Sequence, residues 1–329
     1  MEGLDWLRKK WWILLVVVLF FVALLLSFWA GQNSRLVGYF LKPDREAIEK
    51  HEKGYQFISP LLECQSPAAA DGSWRKLERE LNAFIKQSID ENKVSHISLY
   101  LRDLNNGPWI GVNEEEQFSP ASLMKVPLLM SFFKEAETNP SLLDVSLTIT
   151  LDRSQSLLQN ILTDQQVVTG KEYSVKELLE RMIKYSDNLA VNTLIDNTDP
   201  RLVQRVYADL EIFPEVGELE DLISVRNYAG FFRILYNSSY LNRTMSERAL
   251  KLLSETTFKD GLVAGVPPGV TVSHKFGERV ISGTKQLHDC GIVYRPDKPY
   301  LLCVMTRGQD FKAMKEVISS LSALVFKQF

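Results

Sequence analysis

The first clear pattern of apolar and polar positions begins at residue 73. Over residues 73–92, apolar side chains recur every three or four positions behind a serine, a residue type that caps helices. Residues 94–104 then alternate between apolar and polar, an Asn-Asn-Gly turn follows at 105–107, and residues 109–112 return as a second run of strand-like composition. The pattern predicts a helix followed by a β-hairpin.

Helical periodicity dominates the middle of the chain, and alternation returns near its end. The predicted helices cover residues 121–137, 175–185, 188–196, 225–236, 246–256 and 311–326, and the predicted later strands cover 271–274, 291–294 and 300–306. Strands at both ends with helices between them predict an α+β domain over residues 73–329. Its antiparallel sheet is flanked by helices, and an all-helical subdomain is inserted between its strands.

Residues 11–30 form an apolar run without charge, and about twenty helical residues span a hydrocarbon core of about 30 Å. Basic residues precede the run at 8–10, and only Arg35 follows closely, so residues 1–10 are predicted to be cytoplasmic and the later chain extracytoplasmic. The alternative is a cleaved signal peptide, but the run is long and ends in bulky residues. We therefore expect a single-pass anchor in the cell membrane.

Residues 31–72 mix charges, three prolines and a stretch of small residues. This composition is typical of a linker or stalk, and it can include a short helix near residues 45–53. The chain has 329 residues and a net charge of −3, without a basic patch behind the apolar run, so no nucleic-acid partner is expected.

The three cysteines are Cys64, Cys290 and Cys303, and an odd, small number argues against a disulfide framework. The last two flank a predicted turn at 296–297, so they could face each other across a hairpin, but the favoured interpretation is that they are small apolar strand residues. The histidines and cysteines do not have the spacing of a zinc site, so no metal or other cofactor is predicted.

Ser122 and Lys125 form a Ser-x-x-Lys pair at the start of a predicted helix. Residues three apart share one helix face, so the amine can reach the hydroxyl that needs a base. Burial or positive neighbours must first lower the lysine pKa. The same spacing occurs at Ser73, Ser131 and Ser282, so the spacing by itself does not identify the nucleophile.

Two further motifs distinguish Ser122. The sequence Ser186-Asp187-Asn188 occurs between predicted helices, and Lys275-Phe276-Gly277 follows a predicted strand. Each has a simpler interpretation alone: the first is also typical of a helix cap, and Lys-x-Gly recurs at 259–261. Together, the three motifs resemble those of class A β-lactamase-like serine hydrolases and penicillin-binding proteins, and the resemblance covers residues 73–329. It implies the β-lactamase/transpeptidase-like fold.

The resemblance implies that Ser122 attacks a carbonyl and becomes acylated, while Lys125 takes or relays its proton. Ser186 would then pass a proton to the leaving nitrogen. The backbone N–H groups of Ser122 and Glu278 would form the oxyanion hole.

The resemblance also implies a substrate-binding edge. Asn188 would hydrogen-bond the substrate amide and orient Lys125, and Asp187 would be structural. Lys275 would attract a substrate carboxylate from the strand that Phe276 and Gly277 continue. The expected partner is therefore a small-molecule or peptide substrate, a β-lactam or a D-Ala-type peptide.

Two departures from the family pattern limit this expectation. A phenyl ring at 276 replaces the usual hydroxyl and cannot donate a hydrogen bond to a carboxylate, a bond worth about 1.5–3 kcal/mol. None of the four glutamates at 211, 215, 218 and 220 has an asparagine four positions later, as the deacylating glutamate of class A enzymes does.

Three hypotheses remain open at this point. The first is a serine acyl-hydrolase that acylates and deacylates. The second is a penicillin-binding or DD-peptidase-like protein that acylates but deacylates slowly, and the third is a non-catalytic domain that retains the fold.

Overall fold

The computed structural model of the chain describes residues 19–22, 48–65, 72–105, 107–150, 160–161, 165–216 and 221–328. The chain divides into two compact units, one of residues 1–45 with 68–70 and the other of residues 46–67 with 71–329. The second unit contains every helix and strand named below.

The helices of this unit follow the apolar periodicity closely. They are α1 (Gly72–Asp90), α2 (Lys125–Ala136), α3 (Val175–Lys184), α4 (Asn188–Asp196), α5 (Arg201–Leu210), α6 (Val225–Asn237), α7 (Arg243–Ser254) and α8 (Phe311–Gln328). A 3₁₀ turn over Ala121–Met124 precedes α2, where the sequence predicted one continuous helix. The pattern of apolar positions did not predict α5.

The described strands form one main sheet, a small three-stranded sheet and two separate pairs. They are β1 (Ile48–His51), β2 (Leu61–Gln65), β3 (His96–Asp103), β4 (Trp109–Val112), β5 (Gln117–Phe118), β6 (Ser146–Thr148), β7 (Glu172–Ser174), β8 (Glu215–Val216), β9 (Asp221–Ser224), β10 (Val272–Ile281), β11 (Thr284–Val293) and β12 (Tyr300–Gly308). The main sheet has the order β10-β11-β12-β3-β4, and all its pairs are antiparallel. Both ends of the domain contribute to it, so the predicted α+β class is confirmed.

The sheet separates two apolar cores, because successive side chains of a strand point to opposite faces. Leu99 and Leu101 of β3 pack with residues of α1 and α8. Tyr100, between them, belongs to the other core, which residues of α2, α3, α6 and α7 share. The helical subdomain therefore lies on the face of the sheet that also carries Tyr100.

The last strands are longer than the sequence predicted. Strand β10 continues to Ile281 and β11 begins at Thr284, joined by a turn in which Ser282 and Gly283 both have positive φ, 49° and 82°. Such a two-residue turn matches the twist of a hairpin. Buried polar residues such as Lys275 and His288 interrupt the apolar alternation and hide these strands from pattern analysis.

Cys290 and Cys303 are direct partners across β11 and β12, and they form a disulfide. The two cysteines therefore face each other, and the favoured interpretation, that they are only small apolar strand residues, is wrong. On the other side of β11, Lys275 of the edge strand β10 pairs with Cys290, so the disulfide joins the second and third strands of the sheet.

Part of the predicted linker belongs to the folded domain. Strands β1 and β2 pair as a hairpin, so the short helix considered near residues 45–53 is wrong at 48–51. Phe57 and Ile58 are only 5% and 4% exposed, and the Glu247 carboxylate accepts hydrogen bonds from their backbone N–H groups. Two isolated apolar residues lack a period, so the sequence alone did not show that this segment packs on the domain.

The predicted anchor at 11–30 and the predicted cytoplasmic residues 1–10 lie outside the described residues, apart from 19–22. Within the described ranges, none of the helices has the length and apolarity that crossing a bilayer requires.

Candidate active site

Ser122 lies in the 3₁₀ turn at the start of α2, and its side chain is half-buried. The preceding residue, Ala121, has a φ of 48°, a left-handed conformation that an alanine adopts only under constraint. Two buried hydrogen bonds hold the flanks of this turn: His288 Nε2 lies 2.9 Å from Ser119 O, and Tyr228 Oη donates to Leu123 O at 2.9 Å. Backbone strain of this kind concentrates at functional sites.

The His288 contact defines a single tautomer. Burial lowers the pKa of His288 to about 4, so the ring is neutral at pH 7. Its Nδ1 accepts from the backbone N–H of Thr306, and Nε2 therefore carries the proton that it donates to Ser119 O. The turn before Ser122 is thus tied to the central strands of the sheet.

Lys125, the first residue of α2, is 5% exposed. Its Nζ donates to Ser186 O at 2.6 Å, to Ser186 Oγ at 3.0 Å and to Asn188 Oδ1 at 2.8 Å. All the hydrogen bonds that Lys125 Nζ makes with described residues go to the Ser186-Asp187-Asn188 motif, and none goes to Ser122. Burial lowers the pKa of Lys125 to about 7, although the negative charges of Asp187 and Glu278 oppose the shift.

This pKa has a chemical consequence. An ammonium has three N–H donors, and each has a partner here. A neutral amine has two donors and a lone pair, so deprotonation releases one of the three acceptors. Near neutral pH, Lys125 is therefore divided between an ammonium that is fully hydrogen-bonded and an amine that can accept a proton.

The Ser186-Asp187-Asn188 motif forms the junction between α3 and α4. Ser186 is buried and has a φ of 55°. The Asp187 carboxylate caps α4 by accepting from the N–H groups of Leu189 and Ala190, at 2.9 and 3.1 Å, and it also accepts from Val167 N at 2.6 Å. The Asp187 carboxylate thus holds the start of α4 and the backbone at Val167 together.

Lys275 reaches the same hydroxyl from β10. Its side chain is fully buried, and Nζ donates to Ser186 Oγ at 3.0 Å and to its neighbour's carbonyl, Phe276 O, at 2.8 Å. Burial, and then the positive charge of Lys125, hold the pKa of Lys275 well below its usual value. The hydroxyl of Ser186 is therefore the point where all three motifs meet.

Phe276 occupies the space where a hydroxyl residue was expected. Its ring stacks on Phe258, with centroids 4.3 Å apart, and Lys275 Nζ lies 4.2 Å from the centroid of the Phe276 ring. Two of the three N–H donors of a Lys275 ammonium therefore have hydrogen-bond partners, and the Phe276 ring lies against the same group.

Gly277 has a steric reason to be glycine. A Cβ at this position would lie 2.8 Å from Pro120 O and 3.0 Å from Leu123 Cγ. The glycine therefore allows β10 to lie directly against the turn that carries Ser122.

Glu278 follows on the same strand, and its side chain contacts a segment that the sequence analysis did not connect with the site. Its carboxylate accepts from Asn160 Nδ2 at 2.6 Å and from Ile161 N at 3.0 Å. The sequence gave no indication that Asn160 lies near the site, because its partner Glu278 is more than a hundred residues away along the chain.

Ser122, Lys125, Ser186 and Asn188 line one cavity of about 540 Å³. Most of its remaining wall is apolar and comes from α4, α5 and the start of α2. Among the residues that the structure describes, two carboxylates line it, Asp199 and Glu278. Of the glutamates considered from the sequence, Glu211 and Glu215 do not line it, and those at 218 and 220 lie outside the described residues.

Both of these carboxylates accept hydrogen bonds from neighbouring residues. Asp199 accepts from Arg201 Nε at 2.8 and 3.0 Å, and this hydrogen bonding holds its pKa at about 2. Glu278 is engaged with residues 160–161. In the part of the chain that the structure describes, no three His, Cys, Asp or Glu side chains are grouped as metal ligands.

An antiparallel sheet flanked by helices, with these three motifs around one cavity, defines the class of β-lactamase-like serine hydrolases. The chain belongs to the beta-lactamase enzyme family, whose model matches residues 76–329. The resemblance inferred from the motifs is thereby confirmed.

Two curated relatives are β-lactamases with low identity to this chain. A β-lactamase of Proteus vulgaris is 24% identical over 260 residues, 74% of this chain and 93% of the relative. A β-lactamase of Bacillus licheniformis is also 24% identical, over 73% of this chain and 81% of the relative.

Solved structures share the fold. An L158E mutant of PBP-A, described as an acyl-enzyme complex with penicillin G, aligns with a TM-score of 0.65 at 23% identity, over 77% of this chain and 96% of that one. The class A β-lactamase of Mycobacterium abscessus aligns with a TM-score of 0.64 at 23% identity, over 76% and 98% of the two chains.

Proposed function

We propose that this chain is a serine acyl-hydrolase that forms an acyl-enzyme at Ser122 with a β-lactam or a D-Ala-type peptide. One observation carries the proposal. Lys125 is a buried lysine with a pKa of about 7, and it lines the same cavity as Ser122. A buried amine that is half-neutral at pH 7 is suited to general-base catalysis.

In the proposed reaction, Ser122 Oγ attacks the substrate carbonyl while its proton passes to neutral Lys125. The new Oγ–C bond forms, and the negative charge on the carbonyl oxygen is held by the backbone N–H groups of Ser122 and Glu278. When the C–N bond breaks, Ser186 donates its hydroxyl proton to the leaving nitrogen and recovers a proton from Lys125. Water then attacks the ester and releases the acid.

The binding roles follow from the same arrangement. Asn188 presents its amide to the substrate while its Oδ1 holds Lys125 Nζ. Lys275 places its amine beside Ser186, and Gly277 lets the strand approach the nucleophile. Asp187 keeps the motif in place by capping α4.

A second candidate function differs only in the fate of the acyl-enzyme. In a penicillin-binding or DD-peptidase-like protein, acylation occurs but hydrolysis of the ester is slow. The carboxylates of Asp199 and Glu278 already accept hydrogen bonds from other residues, which favours this candidate. A positioned general base would raise the rate of ester hydrolysis by about 10²–10⁴-fold.

Intact mass over time, after mixing the full chain with penicillin G, separates these functions. A transient adduct supports hydrolysis, and a persistent adduct supports the slow form. Ser122→Ala should abolish the adduct, whereas the matched control Ser282→Ala removes the serine of another Ser-x-x-Lys pair and should keep it. If neither penicillins nor activated acyl esters modify the wild-type chain, the domain is non-catalytic and the proposal is wrong.

We also propose that residues 11–30 anchor the chain in the cell membrane with the catalytic domain outside. The uncharged apolar run and the basic residues before it support this orientation. Protease added to intact cells should degrade a C-terminal epitope, and deletion of residues 2–30 should move the protein to the soluble cytoplasmic fraction. An epitope protected in intact cells and cleaved only after lysis would contradict the orientation.

A further inference from the structure

A second cavity, of about 220 Å³, is lined by side chains of α2, α3 and α7. It shares no lining residue with the cavity beside Ser122. Each helix contributes one buried apolar side chain to it, and these are Phe133, Leu179 and Leu252. The cavity is smaller than the roughly 300–1,000 Å³ of sites that hold drug-sized ligands, so its size suits a compact group.

The rest of the lining is charged, because helical spacing brings charged residues onto one side of each of two helices. On α3 they recur every four positions, and on α7 they are three and then four positions apart. They are Lys176, Glu180, Lys184, Arg248, Lys251 and Glu255, the last of which directly follows α7. Four cations and two carboxylates give this part of the cavity a net charge of +2.

Both carboxylates of the lining lie beside the same lysine, Lys184. Its Nζ is 2.5 Å from Glu255 Oε2, an ion pair that joins the last turn of α3 to the end of α7. The same Nζ is 4.0 Å from Glu180 Oε2, one turn earlier on α3. The negative charge of the cavity is therefore concentrated around one of its four cations.

The other three cations have no carboxylate partner among the residues that the structure describes. Arg248 lies against an aromatic ring instead, with its guanidinium carbon 5.1 Å from the Phe133 centroid. Glu177, whose charge Lys176 influences, does not line the cavity and is held by Ser174 in the capping box of α3. Like charges around one cavity repel each other, and a bound anion would remove that cost.

We propose that this cavity binds an oxyanion of the phosphate type, held by Lys176 of α3 and by Arg248 and Lys251 of α7. A guanidinium fork and two ammonium groups can bond several charged oxygens at once. A phosphate offers such a set, whereas a carboxylate has only two oxygens and one charge. The phosphate comes either from a small soluble ester or from a lipid headgroup, and its carbon atoms lie against the apolar part of the cavity.

Calorimetric titration of the full chain with inorganic phosphate, in neutral detergent and at constant ionic strength, tests the site. Lys176→Gln and Lys251→Gln should each weaken phosphate binding by about threefold to tenfold, because each removes a charge-assisted hydrogen bond at a partly exposed position. Glu180→Gln should strengthen binding by about twofold to fivefold, because it removes a negative charge from the lining. Substitutions of opposite effect on one wall exclude a general loss of folding as the cause.

Lys86→Gln is the matched control, because it removes an exposed lysine of α1 that does not line the cavity. It changes the net charge of the chain by the same amount as Lys176→Gln and should bind phosphate as the wild type does. If Lys86→Gln weakens binding as much as the two cavity variants, phosphate responds to the overall charge of the protein and the site is refuted.

Native mass spectrometry of the full chain, released from nanodiscs with equal amounts of phosphatidylcholine and phosphatidylglycerol, identifies the source of the phosphate. A phosphatidylglycerol adduct that the wild type keeps and the double variant Lys176→Gln/Lys251→Gln loses would assign the site to a lipid headgroup. Phosphate binding without such an adduct would assign it to a soluble ester. If the wild type binds neither inorganic phosphate nor this lipid, the proposal is wrong. Neither measurement depends on acylation of Ser122.

Discussion

Lys125 and Lys275 share one hydroxyl, since the Nζ of each lies 3.0 Å from Ser186 Oγ. The two lysines come from α2 and β10, and both are buried. Burial disfavours the charged form of each, so the pKa of each is lowered. The shared hydroxyl accepts from both amines and keeps its own proton to donate. This arrangement can pass a proton between the nucleophile and a leaving group without bulk water.

The pH dependence of acylation should report Lys125. Only its neutral form is a base, so the acylation rate should rise as pH increases and reach half its maximum near pH 7. Asn188→Asp places a carboxylate beside Nζ, which stabilises the ammonium and should move the half-maximum to higher pH. The measurement is the second-order acylation rate with one ester between pH 5 and 9.

Asn197→Asp is the matched control for that experiment, because it adds the same charge at the exposed C-terminal end of α4. Its profile should stay at the wild-type position. A wild-type rate that is flat across pH 5–9 would show that Lys125 is not the base.

The free energy of unfolding should depend on pH through the same group. Lys125 has a pKa near 7 when folded and about 10.4 when unfolded, so the unfolded state binds more protons between these values. Stability should therefore rise with pH across this window, by a contribution on the order of 4 kcal/mol. Lys125→Met should lack this contribution. Urea denaturation at pH 7 and pH 9.5 measures both slopes.

Lys275 contributes to the wild-type slope in the same direction, since its pKa is also lowered. The difference between the wild type and Lys125→Met isolates the effect of Lys125. Identical slopes in the two proteins would refute a lowered pKa at this residue.

Gly277→Ala should displace the turn that carries Ser122. The new Cβ would lie 2.8 Å from Pro120 O, a backbone atom that cannot move independently. We expect the acylation rate to fall at least tenfold and the free energy of unfolding to fall by about 1–3 kcal/mol. Gly72→Ala, where the Cβ has open space, is the control. A wild-type acylation rate in Gly277→Ala would contradict the close approach of β10 to this turn.

Asp187 should matter for the site as well as for α4. Asp187→Ala removes the cap, worth about 1–2 kcal/mol, and leaves the buried Val167 N–H without its acceptor. Asp187→Asn can keep the cap but turns an amide N–H₂ towards Val167, so its stability should be intermediate. The acylation rate should also fall, more in Asp187→Ala than in Asp187→Asn, because Asp187 is adjacent to Ser186.

Asn242→Ala provides the comparison, since it removes the cap of α7 at a position that does not line the cavity. It should destabilise the fold by a similar amount without lowering the acylation rate. If Asp187→Ala and Asn242→Ala acylate equally well, Asp187 serves only the helix.

The elements that the sequence predicted well have local causes. Helix α4 begins and ends where the pattern placed it, because Asp187 caps it and its apolar residues repeat at helical spacing. Strands β3 and β4 also pair where the sequence predicted a hairpin. Strand β10 was predicted only as far as residue 274, because Lys275 is a charged residue in a buried strand. Its partner, Ser186, lies 89 residues earlier in the chain.

The sequence by itself determined the α+β class, the family and the residues of the three motifs, since these depend on local periodicity and on residue types at characteristic positions. Only the tertiary structure decided that Ser186 joins the two lysines, that Phe276 covers Lys275, and that an apolar cavity opens beside Ser122. The physical reason is that pKa values, steric limits and cavity shape arise from burial among residues distant in sequence. A local pattern of apolar and polar positions does not predict those contacts.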